Sequence, residues 1–292
     1  MIPKEILEKV RRIEITTNRL VTDTFAGAYH SVFKGRGMEF DEVREYQYGD
    51  DIRAIDWNVT ARTGKAHVKK YVEERELTVM IMVDASASVY FGSTVTTKNK
   101  MAAEIAAVLA FSAIRNNDKV GLMIFTDEVE LFIAPKKGRA HVLRVIREIL
   151  YFAPKGKTTN LAKALAYLTQ VIHRKAVTFV ISDFFDDQFK TEMRIANKYH
   201  DLIAITLNDP REMQLPSCGI VELIDPETGK MMLVDTTDKR VNNRFVERSL
   251  KRLDDRNRLF DGMGVDHIDV DTRLGYIKAL VKFFAVRQRG KM

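Results

Sequence analysis

Two stretches of the chain are apolar almost without alternation, Val79 to Val83 in LTVMIMVDASAS and Ala176 to Ile181 in KAVTFVISDFF. A strand with no polar face has no wet side, so each reads as a parallel strand buried between two layers of helices. Further strands are predicted at Val120–Phe125, Leu202–Leu207 and Val265–Val270, with Val129–Ile133 pairing back on the first of these as an edge hairpin. Between them the apolar period changes to 3.6 residues. Lys98–Asn116 turns Met101, Ile105, Val108, Leu109 and Ile114 inward, and helices are predicted over Gly138–Tyr151, Asn160–His173, Gln188–His200, Arg240–Phe260 and Gly275–Arg287. This alternation predicts an α/β fold, a doubly wound, mostly parallel sheet of Rossmann type with right-handed crossovers.

Two regions break the rhythm. Ile2–Leu20 reads as an amphipathic helix, and Ala28–Glu76 is punctuated by glycine and rich in aromatics, with short strands predicted near Arg44–Gln47 and Ala66–Glu73. The carboxylates Asp50, Asp51, Asp56 and Glu73 are interleaved with Arg53 and Arg62, which reads as ion pairing that fixes loops. Trp57 reads as a core anchor. Ile220–Ile224 and Met231–Val234 flank DPETGK, a hairpin that a doubly wound sheet does not require. The expected organisation is therefore a helix and small β-rich N-terminal subdomain over 1–76, and an α/β domain over 77–292 with a hairpin insertion at about 216–237. The hairpin is expected to join the strands of 28–76.

Candidate chemistry begins where the first greasy strand ends. Asp84, Ser86 and Ser88 place one carboxylate and two hydroxyls at alternate positions, separated by the small Ala85 and Ala87. Ligands of open α/β sheets bind outside the carboxyl ends of the strands, so these oxygens lie where a site is expected. Oxygen-only donors select a hard cation. Mg²⁺ takes one or two carboxylates and keeps several waters, so this loop supplies part of a shell. Thr159 in GKTTNLAKAL and Asp183 at the end of the second greasy strand offer the rest. Thr159 has two readings, helix N-cap or metal donor. Asp186 and Asp187 read as partners of a helix dipole.

The succession DxSxS, TNL and a strand ending in SD, separated by helix-length spacers, resembles the metal-ion-dependent adhesion site (MIDAS) of von Willebrand factor A domains. The resemblance implies that Ser86, Ser88 and Thr159 bind the metal, with Asp84 and Asp183 holding it directly or through water. The phrase EFDEVREYQYGDDIRAIDWNVTARTGKAHVKKYVEERE, running straight into DASAS, resembles the core of a bacterial domain-of-unknown-function family. Members of that family carry a von Willebrand A-like domain and are typically encoded beside MoxR-type AAA+ ATPases. The likeness runs from about Gly35 to the C-terminus and implies a von Willebrand A-like sheet and a MoxR-like partner.

Composition narrows the picture further. One cysteine, Cys218, in 292 residues allows no internal disulfide and points to a reducing compartment without structural zinc. Many relatives carry two membrane helices ahead of the shared region; no run of about 18 apolar residues occurs here, and a cytoplasmic location is expected. The net charge of +7 concentrates near the end, with 14 Lys and Arg against 7 Asp and Glu from Lys239 onward. No aromatic platform or nucleic-acid motif accompanies that basic stretch, so nucleic-acid binding ranks low. GxSxG is absent, the six histidines are scattered, and GKTTN lacks the upstream glycine of a phosphate-binding loop. The expected function is a non-catalytic adaptor. Its Mg²⁺ or Mn²⁺ would engage an Asp or Glu of a client or of the ATPase, in complex assembly or maturation. The alternatives are a metal-dependent hydrolase or phosphatase using Asp84 with Asp183, and nucleic-acid binding through the basic C-terminal face.

Overall fold

The structure is a computed structural model describing residues 39–72, 76–93, 96–186 and 188–289. The helix expected over Ile2–Leu20 lies outside these residues, as do Glu73 and Asp187. The described chain divides after Leu77 into two units.

In the first unit β1 (Glu39–Glu45) pairs antiparallel with β2 (His67–Val72), and the seven-residue helix α1 (Trp57–Thr63) lies between them in sequence. Its carboxylates fix loops, as the interleaving with arginine predicts. Arg44 donates twice to Asp50, at 2.8 and 2.6 Å. Asp56 accepts from the Asn58 and Val59 amides at the start of α1 and pairs with Lys69 at 3.5 Å. Trp57 corrects the expectation of a core anchor, being 67% exposed. Among the described residues of this unit only Val68 is fully buried, too little apolar material to enclose an indole.

The second unit runs in order β3 (Thr78–Asp84), α2 (Lys98–Arg115), β4 (Lys119–Phe125), β5 (Val129–Lys136), α3 (Arg139–Tyr151), α4 (Leu161–Val171) and β6 (Val177–Ser182). It continues through α5 (Lys190–Tyr199), β7 (Asp201–Asn208), the short α6 (Pro210–Met213), β8 (Ile220–Ile224) and β9 (Met231–Asp235). It ends with α7 (Lys239–Met263), β10 (Asp266–Asp271) and α8 (Ile277–Arg289). Six strands form one sheet in the order β10-β7-β6-β3-β4-β5, parallel except at the β4–β5 edge. This is the doubly wound, mostly parallel sheet that the apolar runs predict. The chain turns first to one side of β3 and then to the other, so the direction of winding reverses between β3 and β6. In open α/β sheets ligands bind at such a reversal, past the carboxyl ends of the strands.

Burial follows from the pattern. Val79–Val83 are at most 2% exposed because helices cover both faces. Met80 and Met82 point into a core with Leu161, Leu165, Leu168, Phe189, Met193, Phe260 and Met263 of the α4, α5 and α7 side. The residues alternating with them therefore face the opposite layer. β8 and β9 pair with each other as a separate two-stranded sheet, and β1 with β2 likewise. Among the described residues, the strands expected to form a joint β-rich subdomain share no ladder with the β8–β9 hairpin.

His200 closes α5 and is 2% exposed, and neither of its ring nitrogens has a hydrogen-bond partner among the described residues. Burial holds its pKa below the ordinary 6.5. The unfolded chain therefore takes up this proton first. Its contribution to stability is complete above about pH 6.5 and declines as pH falls toward the depressed native value, by up to about 1.4 kcal/mol per pH unit. Urea denaturation between pH 7.5 and pH 5 is expected to show that decline in the wild type and a shallower one in His200→Leu. Identical slopes would remove His200 from the account.

Candidate metal centre

The site is built on the last residue of β3. In the β3–β6 ladder Val83 stands opposite Ile181, which brings the next residues, Asp84 and Ser182, side by side. The Ser182 hydroxyl donates to Asp84 Oδ2 at 2.7 Å, and the Ser86 amide donates to Asp84 Oδ1 at 2.9 Å. The second of these bonds is the local turn that an Asp favours two residues before a backbone N–H. It swings the chain off the strand and into a single 3₁₀ turn over Ala87–Tyr90. Ser86 Oγ and Ser88 Oγ then lie 3.1 Å apart and share a hydrogen bond in a buried environment. The alanines between them let the loop sit tight against its neighbours: the Ala85 amide donates to Phe125 O and the Ala87 amide to Lys157 O, each at 2.9 Å.

Asp183 follows Ser182 and is 2% exposed, as Asp84 is 1%. Burial first, and then the negative charge of Asp183, push the Asp84 carboxyl up to about 7, against the hydrogen bonds from Ser182 and Ser86 that favour its anion. Asp183 has a cation of its own. Lys98, in the first turn of α2 and wholly buried, places Nζ 3.1 Å from Asp183 Oδ2 and also pairs with Glu212. Glu212 is held by the capping box that opens α6, where it accepts from the Asp209 amide. Its carboxyl is raised by burial and drawn back by Lys98. Asp209 in turn accepts from both the amide and the hydroxyl of Ser93, which ties the loop after the serines to the end of β7.

Thr159 lies on a separate loop. Glu130 of β5 organises that loop by accepting from the Lys155 and Gly156 amides and from the Thr126 hydroxyl. Gly156 passes so close to Thr126 and Asp127 that a Cβ there would lie 2.3 Å from Thr126 Oγ1. The N-cap reading of Thr159 is corrected: Asn160 caps α4 by accepting from the Lys163 amide, and Asp186 takes the Leu161 amide at 3.0 Å. Asp186 is thus a helix-terminus partner of α4, and its other oxygen accepts from the Gln188 amide just ahead of α5 at 2.8 Å. The Thr159 hydroxyl, relieved of capping, donates instead to Glu227 Oε1 at 3.0 Å, on the turn between β8 and β9.

Asp84, Ser86 and Ser88 are therefore joined by direct hydrogen bonds, Asp183 adjoins them electrostatically, and Thr159 is two residues from the Lys157 carbonyl that anchors the serine loop. The donor chemistry fits a hard cation, being all oxygen, part hydroxyl and part carboxylate. Among the described residues no three His, Cys, Asp or Glu side chains cluster as a metal site, so an ion here depends on the hydroxyls. Lys98, Ser182, Glu212, Glu130 and Glu227 were not singled out from sequence. The signals available were the Ser before Asp183 in ISDFF and the D-P-R-E capping pattern of Asp209 to Glu212.

Comparison with known proteins finds relatives of this chain. An uncharacterized protein of Mycobacterium tuberculosis is 30% identical over 286 residues, covering 97% of this chain and 90% of that protein. Among solved structures, BatB from Bacteroides thetaiotaomicron is 14% identical at a TM-score of 0.47, covering 73% of this chain and all but 1% of the other, 99%. An aerotolerance-related membrane protein from Bacteroides fragilis is 14% identical at 0.48, covering 74% and 100%. That comparison corrects the expectation of a cytoplasmic location. That no helix among the described residues is long and apolar enough to cross a membrane does not place the chain in the cytoplasm. The model of the family described as protein of unknown function DUF58 matches residues 42–254, and the chain belongs to the DUF58 family.

Proposed function

We propose that the chain is a metal-dependent protein-binding module that catalyses nothing itself. The observation that carries this reading is the gathering of Asp84, Ser86, Ser88 and Asp183 past the strand ends where the winding of the sheet reverses. Ser86, Ser88 and Thr159 would hold the ion, with Asp84 and Asp183 beside it. A bound Mg²⁺ or Mn²⁺ supplies a compact positive charge with room for one anionic oxygen from outside. The chain's own part is to hold the hydroxyls in place. Ser182 fixes the rotamer of Asp84, Lys98 neutralises Asp183 and Glu212, and Glu130 docks the Thr159 loop. With few full negative charges in the set, an ion would keep its appetite for a carboxylate of a partner. The resemblance of the segment before β3 supports a MoxR-type AAA+ ATPase as that partner, with a client presenting Asp or Glu as a third member.

The basic C-terminal helix supports the nucleic-acid alternative less. Arg256 of α7 is spent on Asp269 and Asn208, and Arg252 lies over the Phe185 ring at 4.2 Å. The hydrolase alternative draws on the buried pair Asp84 and Asp183, since a carboxyl raised by burial, as that of Asp84 is, marks catalytic sites as well.

Calorimetric titration with Mg²⁺ and Mn²⁺ is expected to give one saturable site per chain, weakened about 10–100-fold in Ser86→Ala and in Ser88→Ala. Equal affinity in all three proteins would count against the site. With a purified MoxR-type ATPase, retention by the wild type in Mg²⁺ and its loss in EDTA or in Ser86→Ala is the expected result; retention under all conditions would move the interface elsewhere. Turnover of a phosphoester panel that disappears in Asp84→Ala would replace the adaptor with the hydrolase.

A further inference from the structure

The β8–β9 hairpin is held in an unusual way. One face carries Ile220, Ile224, Met231 and Leu233, which are 73%, 60%, 69% and 74% exposed, together with Glu222 opposite Leu233 and Asp235 opposite Ile220. The other face is only half-buried at Val221, Leu223 and Val234, and Met232 is exposed there too. A two-stranded hairpin without a packed face is marginal in water. Its base is secured where Thr236, buried, donates its amide and hydroxyl to Gly219 O and accepts from the Cys218 amide. Its tip has one further attachment, Glu227.

The turn is shaped to present that side chain. Asp225 accepts from the amides of Glu227 and Thr228 and from the Thr228 hydroxyl, its backbone closes on Lys230 and Gly229, and Gly229 adopts φ +70° to complete the reversal. Among Asp225 to Lys230 only Glu227 is half-buried; the other five are exposed. Its carboxylate takes the Thr159 hydroxyl, the group that the TNL motif would contribute to the candidate metal centre, at 3.0 Å.

We propose that Glu227 is an internal acidic ligand of this site, and that the hairpin is a clip fastened over it at Thr159. The chemistry that would recognise a partner's Asp or Glu is met first by the chain's own carboxylate. An incoming acidic residue must displace Glu227, which releases the tip of the hairpin and frees its apolar face to move. The competition with a partner rests on the binding reading above; the clip itself does not.

The clip is tested by hydrogen exchange of the β8–β9 amides in EDTA, so the result stands whatever the metal titration gives. Opening of a marginal hairpin reports directly on what secures it. Glu227→Ala and Thr159→Val are each expected to speed exchange across residues 220–235 about tenfold, the worth of one charge-assisted hydrogen bond, while β3 and β6 amides stay unchanged. The double variant is expected to exchange no faster than the more affected single one, because both remove the same bond. Hairpin exchange equal to wild type in both single variants would overturn the proposal, as would effects of the two that simply multiply.

Discussion

Two carboxylates of like charge, Asp84 and Asp183, are removed from water side by side at the ends of adjacent parallel strands, and much of the second unit is arranged around that cost. A buried anion is tolerated only when something nearby neutralises it or donates to it. Asp183 and Glu212 share the ammonium of Lys98, which requires α2 to begin within reach of both the β6 end and the turn after β7. Asp84 has no lysine of its own in these contacts and is met by neutral donors, Ser182 and the loop that follows it. The imbalance is local. It marks Asp84 and the serines as the place where added positive charge would be most strongly favoured.

Much of this was legible in the sequence, and the reason is that the relevant signals are short-range. Val79–Val83 is apolar at every position, which leaves no orientation with a wet face, and the donors Asp84, Ser86 and Ser88 follow at the spacing of a single turn. Lys98 gave no such signal. A lysine in the first turn of a helix is ordinarily solvated, and what buries this one is Glu212, 114 residues away, together with Asp183, 85 away. Trp57 failed in the opposite direction, since its reading as a core residue presumed a larger apolar unit than its surroundings supply. Thr159 was placed in the site by pattern. Its competing role as a cap could only be settled by seeing that Asn160 and Asp186 satisfy the α4 amides.

Glu227 shows the same limit from another side. In DPETGK it is one polar residue of a turn, and the turn is fully accounted for by Asp225, Thr228 and Gly229. Only the fold reveals that the turn ends on Thr159, 68 residues earlier in the chain. The hairpin then ceases to be an ornament on the sheet. It couples the state of the site to the position of an exposed apolar arm, and that coupling gives a binding module a means of reporting that it is occupied.

The most direct measurement is the anomalous scattering of Mn²⁺ in a crystal of the full chain grown or soaked with the ion. The account predicts a single strong peak among Ser86, Ser88, Thr159, Asp84 and Asp183, with hydroxyl oxygens at roughly 2.0–2.2 Å. A map with no peak there at saturating Mn²⁺, with Lys98 still the sole cation on Asp183, would contradict it and leave the buried carboxylates as a structural charge network.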